Sequence, residues 1–160
     1  QRNIDLGYTA ETVAEGRGIK DDVGWDDPVA DMKAGIAALR EAVGADGKIG
    51  VVGYCWGGSL AWLAACRLET DCAVGYYGGQ IGQFNDEQPR SSTMLHFGSE
   101  DVGIPLTTVA EIRDAHPEVT VHVYDGAGHG FNCDQRADYD PAAFALARER
   151  TMAHFAEHLD

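Results

Sequence analysis

Basic residues are scarce in this 160-residue chain: 12 Lys and Arg face 26 Asp and Glu, for a formal net charge of −14. A surface this acidic repels phosphate backbones, which excludes nucleic acid as an expected partner. No apolar run approaches the roughly 18 residues that a membrane-spanning helix needs. No basic-then-apolar leader opens the chain either; it begins QRNIDLGYTA, without an initiator methionine. The 4 cysteines, Cys55, Cys66, Cys72 and Cys133, show no C-x-x-C spacing and no paired histidine motif. Neither zinc nor any other metal or cofactor is implied, and a reduced, cytoplasmic setting is expected. Internal repeats and low-complexity linkers are also missing, and the length is that of one domain.

What is present from Asp27 onward is an alternation of helix and strand. The segment DPVADMKAGIAALREAVG reads as a helix with Asp27 as N-cap, Pro28 at the first helical position and Gly44 as its stop. Val29, Met32, Ile36, Leu39 and Val43 fall on one apolar stripe at helical spacing. KIGVVGY, CAVGYY, TMLHFG and VTVHVYD read as strands, the first apolar on both faces as in a parallel sheet. Helices are expected from about Ser59 to Leu68, from Pro105 to about Ala115, and after Asp140 and Pro141. Such units predict an α/β fold, a parallel sheet of about four strands with helices on both faces, over residues 27–160. Residues 1–26 are weakly patterned and read as a connecting segment, with a short helix around Thr9 to Glu15.

The chemistry is expected beyond the carboxyl ends of the strands. There VVGYCWGGSL gives Gly53, Cys55 and Gly57 the G-x-C-x-G spacing of a nucleophile elbow, with cysteine in place of serine. Both flanking glycines are expected to be needed because a Cβ would collide with the neighbouring strand or helix. The third strand runs into GSEDVGIP, offering Glu100 and Asp101, and the fourth into DGAGHGFNCD, offering Asp125 and His129. Nucleophile, acid and histidine follow in the chain order of the α/β-hydrolase pattern. Cys55 is then the nucleophile, His129 its base, and Asp101 the group that holds the imidazole tautomer. The backbone N–H of Trp56, the residue after the nucleophile, is the expected oxyanion donor. Tyr54, Gly130 and Phe131, beside the nucleophile and the histidine, are the candidate substrate-binding residues. HPE at 116–118 resembles the Cys-His-Glu set of glutamine amidotransferases. But His116 ends a helix and precedes a strand, which puts it at the far edge of the sheet, roughly 17–20 Å from Cys55.

Taken together, GYCWGG, FGSEDVGIP and GAGHGFNCD, with VGYYGG and ALARERTMAHF, resemble the dienelactone hydrolase (carboxymethylenebutenolidase) family. The resemblance implies an α/β-hydrolase fold, a triad of Cys55, Asp101 and His129, and hydrolysis of an enol-lactone ring. It aligns the chain with the C-terminal two-thirds of a member. The first strands, a second oxyanion donor and a glutamate that controls the thiol are then expected outside it. Some members carry a serine directly after the histidine and an arginine three residues further on; here those positions are Gly130 and Cys133. IGVVGY is expected to be an exposed sheet edge, completed by a homo-oligomer or a separate N-terminal segment.

Two classes of function follow as expectations. One is a cysteine-dependent hydrolase that opens a small lactone or activated ester through an acyl-thioester, with a general esterase or thioesterase as a variant. The other is a catalytically impaired half-domain that associates through its sheet edge.

Overall fold

The computed structural model describes residues 4–44 and 46–160. Its elements run α1 (Ala10–Val23), α2 (Asp26–Val43), β1 (Gly50–Tyr54), α3 (Trp56–Arg67), β2 (Cys72–Tyr76), a 3-10 turn (Ile81–Phe84), β3 (Ser92–Gly98), α4 (Leu106–Ala115), β4 (Thr120–Tyr124) and α5 (Pro141–Leu159). Among the described residues the four strands form one sheet in the order β1-β2-β3-β4, every neighbour parallel. Val52 pairs with Val74, Val74 with Met94, and His96 with His122, so the carboxyl ends of all four strands lie at one edge.

The two main helices lie on opposite faces of the sheet. On β2, Gly75 abuts Gly58 of α3, while the hydroxyl of the next residue, Tyr76, bonds Thr151 of α5 at 2.6 Å. Successive residues of a strand point to opposite faces, so α3 and α5 must as well. The core lies between these layers and includes Trp62, Leu63, Val74, Leu95, Phe97, Val109 and Ile112. α3 is apolar all round because the sheet and its neighbouring elements enclose it; residues from Gly58 to Cys66 are buried almost without interruption.

The structure corrects several local expectations. α1 extends for 14 residues to Val23, beyond the short helix expected near Thr9. Thr9 Oγ1 caps it by accepting from the Thr12 N–H, and Gly24 ends it at φ 68°; Gly16 and Gly18 inside it blurred the pattern. α2 starts at Asp26, so Pro28 lies within the first turn, where its missing N–H leaves no intrahelical bond unmade. α3 begins at Trp56, directly after Cys55 and ahead of the expected start near Ser59. The α2 stripe is only partly covered: Val29 packs on the core, but Leu39 and Val43 are exposed.

Candidate active site

Cys55 occupies the tip of the turn from β1 into α3, at φ 54° and ψ −118°. A positive φ is rare for a side-chain-bearing residue, and such conformations cost about 1–3 kcal/mol and gather at functional sites. The turn is held by the Cys55 N–H donating to Tyr76 O at 3.0 Å and by the Gly58 N–H donating to Cys55 O at 2.9 Å. A Cβ on Gly53 would strike the Gly57 carbonyl, and one on Gly58 would strike Tyr76 O. Gly57, expected to be sterically required, faces open space; the pinned position is Gly58.

The other two residues arrive on loops stitched together at the same edge. The Ser99 N–H donates to Tyr124 O and the Glu100 N–H to Ala127 O, each at 2.9 Å, locking the loop after β3 to the loop after β4. His129 Nδ1 then lies 2.7 Å from Asp101 Oδ2, and His129 Nε2 lies 3.2 Å from Cys55 Sγ. Asp101 is buried, and its other oxygen accepts the Gly103 N–H at 2.9 Å. Glu100 and Asp125, the other acids at these strand ends, are exposed and make no hydrogen bond to His129 among the described residues. His116 is buried elsewhere, against Trp62, with Nε2 2.9 Å from Asn85 O.

The electrostatics shift Cys55 and His129 in opposite directions, each toward its charged form. The hydrogen bond to Asp101, reinforced by the one to Cys55, raises His129 to about 9. The bond from His129 lowers the Cys55 thiol despite partial burial, helped by the Trp56 backbone N–H and by Arg136. Trp56, whose N–H is the expected oxyanion donor, directly follows Cys55 as the first residue of α3. Burial has the opposite effect on the inert thiols, pushing Cys66 to about 12 and Cys72 to about 11.

Two openings meet at Cys55. A cavity of about 380 Å³ is lined by Tyr8, Tyr54, Tyr77, Gly130, Cys133 and Arg136. A second, of about 590 Å³, lies against Trp56 and His129 and is flanked by Arg17 and Lys20 of α1. Tyr54 and Gly130 line the first cavity, as a substrate-binding role requires, but Phe131 does not. Phe131 is completely buried, its ring packed on Tyr77 and Tyr124, because Gly130 at φ 83° turns the chain back toward the core. Tyr77 was legible, standing directly beyond β2 at the edge where the other three strands present their functional residues. Tyr8 lay in the segment read as a mere connection, and no periodic signal marked it. Among the described residues no cluster of three His, Cys, Asp or Glu side chains is placed to hold a metal ion, and no helix is long and apolar enough to cross a membrane.

A parallel sheet with a cysteine on a strand-to-helix elbow, followed in sequence by an aspartate and a histidine that hydrogen-bond in line with it, is an α/β-hydrolase arrangement. More narrowly, the chain belongs to the dienelactone hydrolase family, which it matches over residues 1–159. It is 36% identical over 133 residues to a carboxymethylenebutenolidase of Pseudomonas putida, covering 80% of this chain and 56% of that protein. A putative carboxymethylenebutenolidase of Synechocystis is 30% identical over 171 residues, covering 98% of this chain and 70% of that one. The chain thus spans little more than half the length of the Pseudomonas relative. Among solved structures, a putative dienelactone hydrolase of Klebsiella pneumoniae superposes with a TM-score of 0.60 at 28% identity, over 67% of this chain and 51% of that one. An esterase of Pyrococcus furiosus reaches 0.67 at 15% identity, over 84% of this chain and 63% of that one, a likeness of fold alone.

Proposed function

We propose that this chain carries the catalytic machinery of a cysteine-dependent hydrolase of small lactones or activated esters. The observation that carries the reading is the continuous chain from Cys55 Sγ through His129 to the buried Asp101, at 3.2 and 2.7 Å. In this reading the Cys55 thiolate attacks the carbonyl carbon and the oxyanion forms against the Trp56 N–H. The His129 imidazolium protonates the leaving oxygen, opening the ring or releasing the alcohol and leaving an acyl-thioester. His129, now neutral, takes a proton from water; the hydroxide adds to the thioester and Cys55 departs as the thiolate. Asp101 holds the imidazole with Nε2 toward the sulfur throughout. An enol lactone suits a thiolate nucleophile because its enolate is a good leaving group, and family membership makes a dienelactone the first substrate to try.

The test is hydrolysis of dienelactone and p-nitrophenyl acetate by the chain beside Cys55→Ala, with mass spectrometry of acid-quenched enzyme for an acyl adduct on Cys55. Turnover and adduct are expected in the parent and absent from the variant. Equal turnover in both would refute the cysteine mechanism, and a broad ester profile without lactone preference would favour a general esterase or thioesterase.

A second reading, a catalytically impaired half-domain that works by association, is favoured by β1. This strand ends the sheet, with Val52 and Tyr54 exposed.

A further inference from the structure

Tyr77 is the first residue past β2 and one of two non-glycine residues at positive φ among those described, at 37°; the other is the nucleophile. For a bulky side chain this is an outlier, of the kind that persists only where the surroundings impose it. The impositions are visible. Its N–H donates to His96 O at 2.7 Å, and a Cβ on the following Gly78 would press on Ser59 N and Ile81, so the chain cannot relax on that side. The conformation turns the ring, almost wholly buried, toward the loop that carries the histidine.

That loop straddles the ring. His129 packs on it at 5.2 Å between centroids, and Phe131, two residues on, meets it edge-to-face at 5.4 Å. Gly130 between them, at φ 83°, lets both side chains turn to the same partner. Tyr54 and Tyr76 fix the ring from other sides, at 6.4 and 6.0 Å. The charged and titratable groups around the imidazole are Asp101 on Nδ1, Cys55 on Nε2 and Arg136 near the thiol. Asp101 and Cys55 fix two points in the plane of the imidazole, and Tyr77 bears on it from a third direction.

Resting on the cysteine-hydrolase reading, we infer that Tyr77 is a positioning residue. Its strained backbone holds an aromatic ring as the seat for the His129 loop, setting Nε2 against the Cys55 sulfur and stabilising the imidazolium when the thiolate forms. An aromatic face attracts a neighbouring cation, so the seat favours the charged pair over the neutral one.

The experiment follows the ultraviolet absorbance of the thiolate across pH, with kcat and KM, in the parent, Tyr77→Leu, Tyr77→Met, Tyr77→Phe and Cys55→Ala. The parent should show a thiolate step that Cys55→Ala removes; no such step would overturn the thiolate reading itself, independently of Tyr77. Leu and Met, which fill space without a π face, should displace the step to higher pH. They should also lower kcat about 10²-fold, the scale of a misplaced reacting group, with KM changed less than about threefold. Tyr77→Phe, which returns the ring without its hydroxyl, should restore the step and most of the lost kcat. A step unmoved in a folded Leu or Met variant would overturn the inference. So would a Phe variant as impaired as Leu, since the hydroxyl rather than the ring would then be responsible.

Discussion

The carbonyl oxygen of Gly57 occupies the space where a side chain on Gly53 would have to stand. The two glycines lie on either side of Cys55, so the elbow can close only if the strand that enters it carries no Cβ at that position. Gly53→Ala is therefore expected to destabilise the chain by about 1–3 kcal/mol, the usual cost of overpacking a closed site. Thermal melting checks this. Gly57→Ala, facing open space, should melt within a degree or two of the parent, because exposed positions without such contacts change stability by about 0.5 kcal/mol at most. Equal losses at both glycines would show that the elbow is not closed this tightly.

The thiols should separate by reactivity. Cys55 is exposed and its thiol is lowered by His129, whereas burial pushes Cys66 to about 12 and Cys72 to about 11. Brief iodoacetamide treatment at neutral pH should label Cys55 first and leave Cys66 and Cys72 unmodified until the chain is unfolded. Peptide mapping reads the result, and His129→Ala should slow labelling of Cys55 by removing the hydrogen bond that stabilises its thiolate.

Asp101 is expected to matter more than its distance from the sulfur suggests. Asp101→Asn keeps the shape but can no longer fix Nδ1 as the protonated nitrogen, nor balance an imidazolium. A fall in kcat of about 10²–10⁴-fold is expected, with KM little changed. Glu100→Gln, an exposed neighbour that does not touch His129, should stay within a factor of about two. Comparable losses in the two variants would mean that the acid has been misassigned.

How much of this could be read without coordinates depended on the kind of signal. The four strands and the order of nucleophile, acid and histidine rested on apolar runs and on residue types at strand ends, which are local; residue types alone left Glu100 and Asp125 open beside Asp101, and the family resemblance favoured Asp101. Phe131 was misplaced because nothing local tells a binding loop from one that turns inward; the reversal is set by Gly130 and by the aromatic bed beneath it. α2 misled in another way. Its apolar stripe, Val29 to Val43, is regular, but a stripe reports only that something covers it, and here Leu39 and Val43 are left uncovered. The helical cover of residues 10–23 was hidden by two internal glycines.

A buried cluster on β3, outside the chain from Cys55 through His129 to Asp101, is expected to make the fold acid-sensitive. His96 is fully buried between β2 and β4, with Nδ1 2.8 Å from the Tyr124 hydroxyl and Nε2 3.1 Å from Thr151 Oγ1. Burial, together with His122, Arg150 and His154, lowers it from 6.5 to about 3, and burial lowers His122 and His154 too. Above 6.5 the ring is neutral in both folded and unfolded chains and costs nothing. As the pH falls from 6.5 toward 3, the unfolded chain takes up a proton that the folded chain refuses, and stability is lost. Denaturation midpoints should fall steadily over that window. His96→Gln, which has no proton to gain, should show a shallower slope even if it starts less stable; an unchanged slope would remove His96 from the account.

The last prediction concerns the free edge of β1. Val52 and Tyr54 on this strand are exposed, as are Tyr8, Val23, Leu39 and Val43 from the segment and helices that precede it. Parallel sheets are normally buried on both faces, and an uncovered edge strand offers a free row of N–H and C=O groups to any other chain. The chain by itself is therefore proposed to associate through β1, with a second copy or with a separate strand-bearing segment. Sedimentation velocity over a range of concentrations should show species heavier than the 17.2 kDa monomer. Val52→Lys places a charge on the exposed side of the strand without touching the cavity residues, and should shift the distribution toward monomer. A parent that remains monomeric at every concentration and hydrolyses esters at full rate would defeat the association proposal and leave the hydrolase reading standing. A parent that turns over only in its associated form, and loses activity with Val52→Lys, would join the two readings: a triad made here, but held in working order only when the edge is covered.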